Sequence, residues 1–317
     1  PFLNARGNQR SNGTEILPEN LAGLRVLAPQ LPLQRQKKVL NDLAGTHTAA
    51  VRGRGIDFSE VREYLPGDDI RSMDWRVTAR TGDAHIKLFR EERERPVLII
   101  CDLRSSMDFG TRRTLKRVLA ADIAALLSWS ALAKGDRIGG LLFNDTTELD
   151  LRPRTGRKSL MNLLHQLSSL EISKPNAAQP QNPAQRMADI CKHVSRIAHP
   201  GSAVYFISDW LGFDAQAERL IYPLTRHCDL TAIHISDPFE QSLPAGRFTL
   251  TDGQQRQVLD ASSQNTRNAH QQHWDAQQLI LGQHLQRLQV PLIRISTADD
   301  PLPLLRKGLG LTKGSKR

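Results

Sequence analysis

The stretch Val97–Met107 is VLIICDLRSSM, and a second stretch of the same kind, Val204–Trp210, is VYFISDW. Each is a short apolar run that ends in an aspartate, Asp102 or Asp209. A continuous apolar run of this length is typical of a strand that is buried on both faces of a parallel sheet. In open α/β sheets, ligands bind beyond the carboxyl ends of the strands. We therefore expect a functional site at the sheet edge where the two aspartates lie.

Beyond the first of these runs, short apolar strands alternate with helical patterns. The pattern predicts strands at 97–102, 136–143, 148–151 (an edge strand), 204–208, 230–235 and 292–295, with helices at 111–134, 158–170, 183–198, 215–226, 266–288 and 303–309. Asp252-Gly253 between 247–251 and 256–260 is a strong hairpin signal. This alternation predicts an α/β fold with a doubly wound, mostly parallel sheet.

A small β-rich insert is predicted to precede the sheet. It has strands at 58–64 and 84–90, with a turn at Pro66-Gly67 and a helix at 70–79 between them. Either Asp68 or Asp69 is expected to cap that helix. The predicted organisation is a tail with a short basic helix at 34–43 (1–43), the β-rich segment (44–96), the α/β domain (97–312) and a basic tail (313–317).

Composition limits the classes of function that remain open. The chain carries a formal net charge of +10, so acidic partners are favoured over basic ones. Aromatic residues make up only 5%, which argues against binding of single-stranded nucleic acid. Three cysteines form no CxxC pair, as expected for reduced thiols in the cytoplasm. The longest apolar stretch, 118–133, contains Asp122 and is too short to span a membrane.

Two motifs resemble known families. The D-x-S-x-S-like sequence at Asp102, with a later aspartate at another strand end, resembles the von Willebrand factor A fold and its metal-ion-dependent adhesion site. The stretch Phe58–Glu94, FSEVREYLPGDDIRSMDWRVTARTGDAHIKLFREERE, is similar to the hallmark segment of the bacterial family called domain of unknown function 58. The resemblance covers roughly Gly55 to Leu292. It implies a cytosolic bacterial protein that is encoded near a MoxR-type AAA+ ATPase and acts with it in the maturation or remodelling of other proteins.

The resemblance implies a degenerate Mg²⁺ site. Asp102, Ser106 and Asp209 match three positions of the family's adhesion-type site, but Arg104 stands where a serine is expected. The loop 171–182, where the site's threonine should fall, contains no threonine. A guanidinium cannot ligate a metal. We therefore expect Arg104 to replace the cation. In one alternative Arg104 points outward and Mg²⁺ binds weakly; in another both aspartates only cap helices.

The hallmark segment is dense in charge. Its charged and aromatic residues include Glu60, Arg62, Glu63, Asp68, Asp69, Asp74, Trp75, Arg76 and Arg80. Most are expected to form a structural ion-pair network, with Trp75 as the anchor of a small core. The alternative is that the segment forms a docking face.

These features predict a non-enzymatic interaction protein with no cofactor or only weakly bound Mg²⁺. The recognition face would lie at the carboxyl end of the sheet, where Arg104 and Arg154 would favour an acidic client protein. One alternative is a metal-dependent enzyme at the same edge, although no general base accompanies the aspartates. Another is nucleic-acid binding through the basic surface, which predicts strong salt dependence.

Overall fold

In a computed structural model of the chain, the structure describes residues 13–31, 33, 56–64, 73–91, 94–170, 182–251 and 256–310. Two compact units emerge from the internal contacts. The larger consists of Pro1–Gln36 and Arg95–Arg317, and the smaller of Lys37–Glu94. The predicted helix at 34–43 and most of the loop at 171–182 lie outside the described residues.

The larger unit is built on a six-stranded sheet within the described ranges. Its strands are β3 (Pro96–Asp102), β4 (Arg137–Phe143), β5 (Glu148–Arg154), β6 (Ala203–Ser208), β7 (Asp229–Ser236) and β10 (Leu292–Ser296). The order across the sheet is β10-β7-β6-β3-β4-β5, and only the β4–β5 pairing is antiparallel. The predicted mostly parallel α/β sheet is confirmed, as is β5 as an edge strand.

Helices cover both faces of this sheet. They are α1 (Pro18–Gly23), α3 (Lys116–Ala133), α4 (Arg157–Ser169), α5 (Pro183–Ile197), α6 (Ala215–His227), α7 (Pro238–Gln241), α8 (Gln264–Arg287) and α9 (Pro301–Gly308). None of the helices in the described ranges has the length and apolar character needed to cross a bilayer. The predicted hairpin is confirmed as β8 (Arg247–Thr251) paired with β9 (Arg256–Asp260).

Alternate residues of β3 supply two separate cores. Ile99 and Cys101 pack with the buried residues of α1, α3, α4 and α9, whereas Leu98 and Ile100 pack with those of α5, α6 and α8. Because both faces of the strand are covered, its residues are all buried, and this explains the continuous apolar run in the sequence.

The chain reverses its direction of travel across the sheet between β3 and β6. After β3 it crosses to β4 on one side, and after β6 it crosses to β7 on the other. The crevice at such a switch point is where open α/β sheets bind ligands. Asp102 ends β3 and Asp209 directly follows β6, so both lie at this crevice.

The amino-terminal segment is not the simple tail that the sequence predicts for residues 1–43. From Gly13 onward the chain packs on the larger unit, with α1 followed by a 3₁₀ helix over Leu24–Gln30. Leu21 is buried, and its carbonyl accepts a hydrogen bond of 2.9 Å from the indole N–H of Trp129 in α3. The described part of this segment therefore belongs to the core of the larger unit.

Helix α3 begins later than predicted. Its first residue is Lys116, where the sequence pattern favours Thr111. The main-chain N–H and hydroxyl of Thr111 instead donate to the buried carboxylate of Asp237, at 2.8 and 2.5 Å. This bonding holds Thr111 outside the helix and brings Lys116 to the first turn.

The smaller unit contains an antiparallel pair, β1 (Ile56–Glu63) and β2 (His85–Glu91), and helix α2 (Trp75–Thr81). Asp74 caps this helix through the main-chain N–H groups of Arg76 and Val77, so the predicted start at Ile70 is wrong. Trp75 is 67% exposed, which shows that its predicted role as a core anchor is also wrong. As the first residue of α2, Trp75 instead faces solvent.

Candidate functional site

Asp102 and Arg104 form the centre of a buried ionic cluster at the switch point. The Asp102 side chain is fully buried, and the Arg104 guanidinium donates to its two oxygens at 2.7, 3.0 and 3.1 Å. The main-chain N–H of Arg104 donates to the same carboxylate at 3.0 Å, and the Ser208 hydroxyl donates at 2.6 Å. Both Asp102 oxygens are therefore engaged by side chains of the protein.

Asp209 lies between two buried cations. Its carboxylate accepts from Arg104 at 3.4 Å on one oxygen and from Lys116 at 3.2 Å on the other. The Lys116 ammonium also pairs with Glu240 at 2.5 Å, and its side chain is only 2% exposed. The cluster thus joins β3, β6, α3 and α7 through five charged side chains. These are Asp102, Arg104, Lys116, Asp209 and Glu240.

A tight turn positions Asp209. Trp210 adopts a left-handed backbone conformation, with φ of 60°, which is unfavourable for a bulky residue. Its main-chain N–H donates to the Ser208 hydroxyl at 2.8 Å. Its ring is buried against Phe206 and Phe213, and this packing offsets the strain of the turn. The next carbonyl, that of Leu211, accepts from Arg104 at 3.0 Å.

The pKa values of Asp209, Lys116 and Arg104 favour their charged states, whereas burial outweighs Lys116 at Glu240 and raises the pKa of that carboxyl. Burial alone raises the pKa of Asp209, but Lys116 and Arg104 outweigh burial and lower it to about 2. Burial lowers the pKa of Lys116, but the attraction of Asp209 and Glu240 outweighs burial, so the pKa of Lys116 is raised overall. Burial also lowers the pKa of Arg104, but Asp102 and Asp209 together outweigh burial and raise it. Both cations therefore stay protonated around neutral pH.

Ser106 lies at the rim of the cluster. Its hydroxyl oxygen is buried and makes no hydrogen bond of normal geometry, yet it is close enough to Asp209 to help lower the pKa of that carboxylate. The neighbouring Ser105 donates through its main-chain N–H and its hydroxyl to Asp145, at 2.8 and 3.2 Å. The two serines of the loop after β3 therefore face two different carboxylates.

The structure brings together Asp102, Arg104, Ser106 and Asp209, but it separates Arg154 from them. Arg154 pairs with Ile138 at the start of β4, and β5 runs antiparallel, so Arg154 lies at the opposite edge of the sheet. The prediction that Arg154 contributes to the recognition face is therefore wrong. The reason is the single antiparallel strand, whose direction apolar patterning does not reveal.

The hallmark residues are only partly described. Asp74 caps α2, while Trp75 and Arg80 are exposed on that helix. Glu60 and Arg62 lie in β1, opposite Leu88 and Ile86 of β2. Asp68 and Asp69 lie outside the described residues. The predicted ion-pair network of this segment stays a prediction.

The donors at the switch point do not fit Mg²⁺ as they stand. Mg²⁺ requires a near-octahedral set of free oxygen ligands. The carboxylate oxygens of Asp102 and Asp209 are already bonded to Arg104, Lys116, Ser208 and the main-chain N–H of Leu211. A cation would have to displace the Arg104 guanidinium. Within the described ranges, no group of three or more His, Cys, Asp and Glu side chains is arranged to hold a metal ion.

Sequence reasoning missed Lys116 and Glu240. Lys116 is the first residue of an apolar helix and is buried there, a position that a charged residue takes only when it is paired. Glu240 completes a capping box with Asp237 at the start of α7. The only available signal for Glu240 was the spacing Asp-Pro-Phe-Glu, which is typical of a helix start and says nothing about Lys116.

The fold and the site define an α/β protein with a mostly parallel sheet and a buried ionic cluster at its switch point. Residues 60–279 match the family model described as "Protein of unknown function DUF58". The chain belongs to this family. It is 32% identical over 250 residues to the uncharacterized proteins Mb1516 of Mycobacterium bovis and Rv1480 of Mycobacterium tuberculosis, covering 77% of this chain and 74% of each relative.

Solved structures resemble the chain only distantly. A conserved hypothetical protein BatB from Bacteroides thetaiotaomicron matches at 13% identity with a TM-score of 0.42, over 68% of this chain and 97% of that one. An aerotolerance-related membrane protein from Bacteroides fragilis matches at 14% identity with a TM-score of 0.43, over 69% of this chain and 100% of that one.

Proposed function

We propose that this protein is a non-enzymatic interaction partner of a MoxR-type AAA+ ATPase, acting in the cytoplasm in protein maturation or remodelling. In this proposal the fold is von Willebrand factor A-like, and the adhesion-type metal site is replaced by a metal-free pseudo-site. The sheet edge around Asp102, Arg104, Ser106 and Asp209 is the recognition face.

The observation that carries the proposal is the position of Arg104. Its guanidinium is 3% exposed and bonds to both Asp102 and Asp209, the two carboxylates that an adhesion-type site would offer to a metal. Lys116 adds a second buried positive charge to Asp209. A built-in cation keeps the carboxylates paired without a metal, because charge-assisted hydrogen bonds take over the role of the metal–oxygen bonds.

A fixed pseudo-site gives the recognition face a constant charge. An adhesion-type site recognises its partner by adding the partner's carboxylate to the metal. Here the partner would meet a surface whose charges are already compensated, with the rim formed by Ser105, Ser106, Asp145 and the 46% exposed Leu211. Recognition would then rest on shape and hydrogen bonds at this rim.

The test of the pseudo-site is thermal unfolding with Mg²⁺, Mn²⁺ or EDTA, for the wild type and for Arg104→Ser. A ligand that binds only the folded state raises the midpoint. We expect no metal-dependent rise in the wild type and a rise in Arg104→Ser, in which the metal can reach Asp102 and Asp209. Adding Asp209→Asn to Arg104→Ser should abolish that rise. A metal-dependent rise in the wild type would refute the pseudo-site.

The test of the partnership is binding to a MoxR-type ATPase from the same genome, measured by isothermal titration calorimetry at moderate salt. We expect binding by the wild type and loss of binding when rim residues such as Leu211 are changed, for example Leu211→Asp. Tyr222→Asp, at a similarly exposed residue on α6, is the matched control. Equal binding by both variants would exclude this edge as the recognition face.

A further inference from the structure

A cluster of exposed positive charge that the proposed function leaves unused lies at the open edge of β5. Five basic residues surround the carboxyl end of this strand and the start of α4, and all are exposed. They are Arg137, Arg152, Arg154, Arg157 and Lys158, together called the basic edge below. We propose that the basic edge docks an extended acidic segment of a partner protein, which adds to the sheet beside β5.

The first argument is that these charges lack compensation. No acidic residue of the described chain forms an ion pair with any member of the basic edge, although several other arginines have such partners. Arg157 and Lys158 also lie in the first turn of α4, which contains no acidic residue, so they oppose the helix dipole. This placement costs stability in the free protein.

The second argument is the geometry of the strand. β5 is the last strand of the sheet order, and its exposed positions alternate with positions that pack on the core. Leu149 and Leu151 face the core. The exposed face changes from acidic at Asp150, next to a Glu148 that is already paired with Arg186 and His193, to basic at Arg152 and Arg154. A docked acidic segment is therefore attracted to one end of the strand and repelled from the other, which fixes its position.

The third argument is that the backbone of the outer edge can still form hydrogen bonds. A Cβ at Gly139 in β4 would lie 2.3 Å from the Leu151 carbonyl and 2.6 Å from the Pro153 nitrogen, so both groups lie on the β4 side. Successive residues of a strand direct their backbone groups to opposite sides. The register is regular from Glu148 to Leu151, so the backbone groups of Asp150 face the open edge. A bulge follows opposite Gly139, and Pro153, whose nitrogen lies on the β4 side, removes no donor from that edge.

Charge on an edge strand is also a known protection against aggregation, and this alternative has to be weighed. Protection requires only that a strand be blocked, which a lysine or an outward-facing proline achieves. Here the proline nitrogen faces inward, and the positive charge continues into α4 and to Arg137 of the neighbouring strand. This continuous basic surface beside an open strand edge is suited to a partner segment. In strand addition, main-chain hydrogen bonds supply affinity and side-chain contacts, here between opposite charges, supply specificity.

A protein segment suits this surface better than a nucleic acid does. The stretch Glu148–Leu160 contains no aromatic residue on which a base could stack. An open strand edge offers alternating N–H and C=O groups, which match the backbone of an extended polypeptide. Glutamate and aspartate side chains on that polypeptide can reach the guanidinium groups of the basic edge.

The probe for this proposal is a fluorescein-labelled peptide of alternating Glu and Thr, titrated with the full chain and followed by fluorescence anisotropy. Arg152→Glu combined with Arg154→Glu should weaken binding at least about tenfold. Arg219→Glu combined with Arg226→Glu on α6 changes the net charge equally and is the matched control, with binding expected within about twofold of the wild type. Circular dichroism and the Tm of both double variants verify that they fold.

Hydrogen exchange distinguishes strand addition from a purely ionic contact. We expect the outward-facing amides of β5 to exchange more slowly when the peptide is bound. No detectable binding at low salt, or an equal loss in both double variants, would overturn the proposal. So would a DNA duplex that displaces the peptide from the wild type and binds more tightly. Because the basic edge lies at the opposite end of the strands from Asp102, changes to the ionic cluster test the proposed function independently.

Discussion

Asp209 connects the ionisation of a single carboxyl to the stability of the whole sheet edge. Its pKa is lowered to about 2 because Lys116 and Arg104 outweigh the effect of burial. A group whose pKa is lower in the folded than in the unfolded state stabilises the fold above its unfolded value, and this contribution is lost as the pH falls through the folded value. For Asp209 the loss falls between about pH 4 and pH 2, and its size is on the order of 2 kcal/mol.

Lys116→Met should reduce this acid dependence. Without the ammonium, the pKa of Asp209 rises towards that of the unfolded chain, so the variant loses less free energy of unfolding between about pH 4 and pH 2. At neutral pH it should be less stable than the wild type, by about 3 kcal/mol, because a buried carboxylate has lost a partner. Urea unfolding at a series of pH values measures both effects. Lys158→Met, at an exposed lysine, is the control, and parallel pH curves for wild type and Lys116→Met would contradict the assignment.

Single residues also mark the limit of what the sequence can predict. Asp102, Arg104 and Asp209 could be assigned to one site because strand ends are visible as apolar runs that stop at a polar residue. Lys116 could not, because its burial depends on Asp209 and Glu240, which lie far away along the chain. Trp75 was predicted to anchor a small core, but it is exposed on α2, and its surroundings could not be known from the sequence.

Among the elements, the loop between β6 and α6 controls the site most directly. It supplies Asp209, the carbonyl of Leu211 and then Gly212, whose φ is 84°. A Cβ at Gly212 would lie 2.3 Å from the carbonyl oxygen of Pro183, the first residue of α5. The loop therefore packs backbone against backbone on α5, and any side chain at this glycine would push the loop away from Arg104.

Gly212→Ala and Gly201→Ala form a matched pair that separates packing from backbone strain. Both glycines have φ near 84°, but a Cβ at Gly201 would meet no atom within 4 Å. Both variants incur the left-handed penalty of about 1 kcal/mol. Gly212→Ala should lose at least about 1 kcal/mol more, because backbone atoms cannot move aside as a flexible side chain can. Urea unfolding measures the difference, and equal losses would show that the loop does not pack on α5 in this way.

Most elements of the larger unit were predictable, because each strand or helix has a local signal. Apolar runs located β3 and β6, and Asp252-Gly253 located the β8–β9 hairpin. The start of α3 was placed too early because the bonds from Thr111 to Asp237 are tertiary contacts between distant residues. The packing of α1 was missed for the same reason. Its apolar pattern is too short to indicate burial, and its contact with Trp129 joins residues that are far apart in the sequence.

At the scale of the whole molecule, the two cores share one sheet and should therefore unfold together. Cys101 lies in one core, and Cys191 and Cys228 lie in the other. All three are buried, and the Cys228 thiol donates to the carbonyl of His199 at 3.2 Å. Burial raises the pKa of the Cys101 and Cys191 thiols, which suppresses the reactive thiolate form. The thiols thus report on both faces of the sheet at once.

We expect a thiol reagent such as DTNB to react with none of the three cysteines of the native protein on the timescale of mixing. In urea all three should become reactive at one midpoint, which coincides with the loss of helical circular dichroism, because neither core can open while the sheet remains intact. Ser262→Cys, at an exposed position, should react immediately and serves as the control. If Cys191 and Cys228 became reactive at a lower urea concentration than Cys101, the helices on that face would unfold independently and the single cooperative sheet would be refuted.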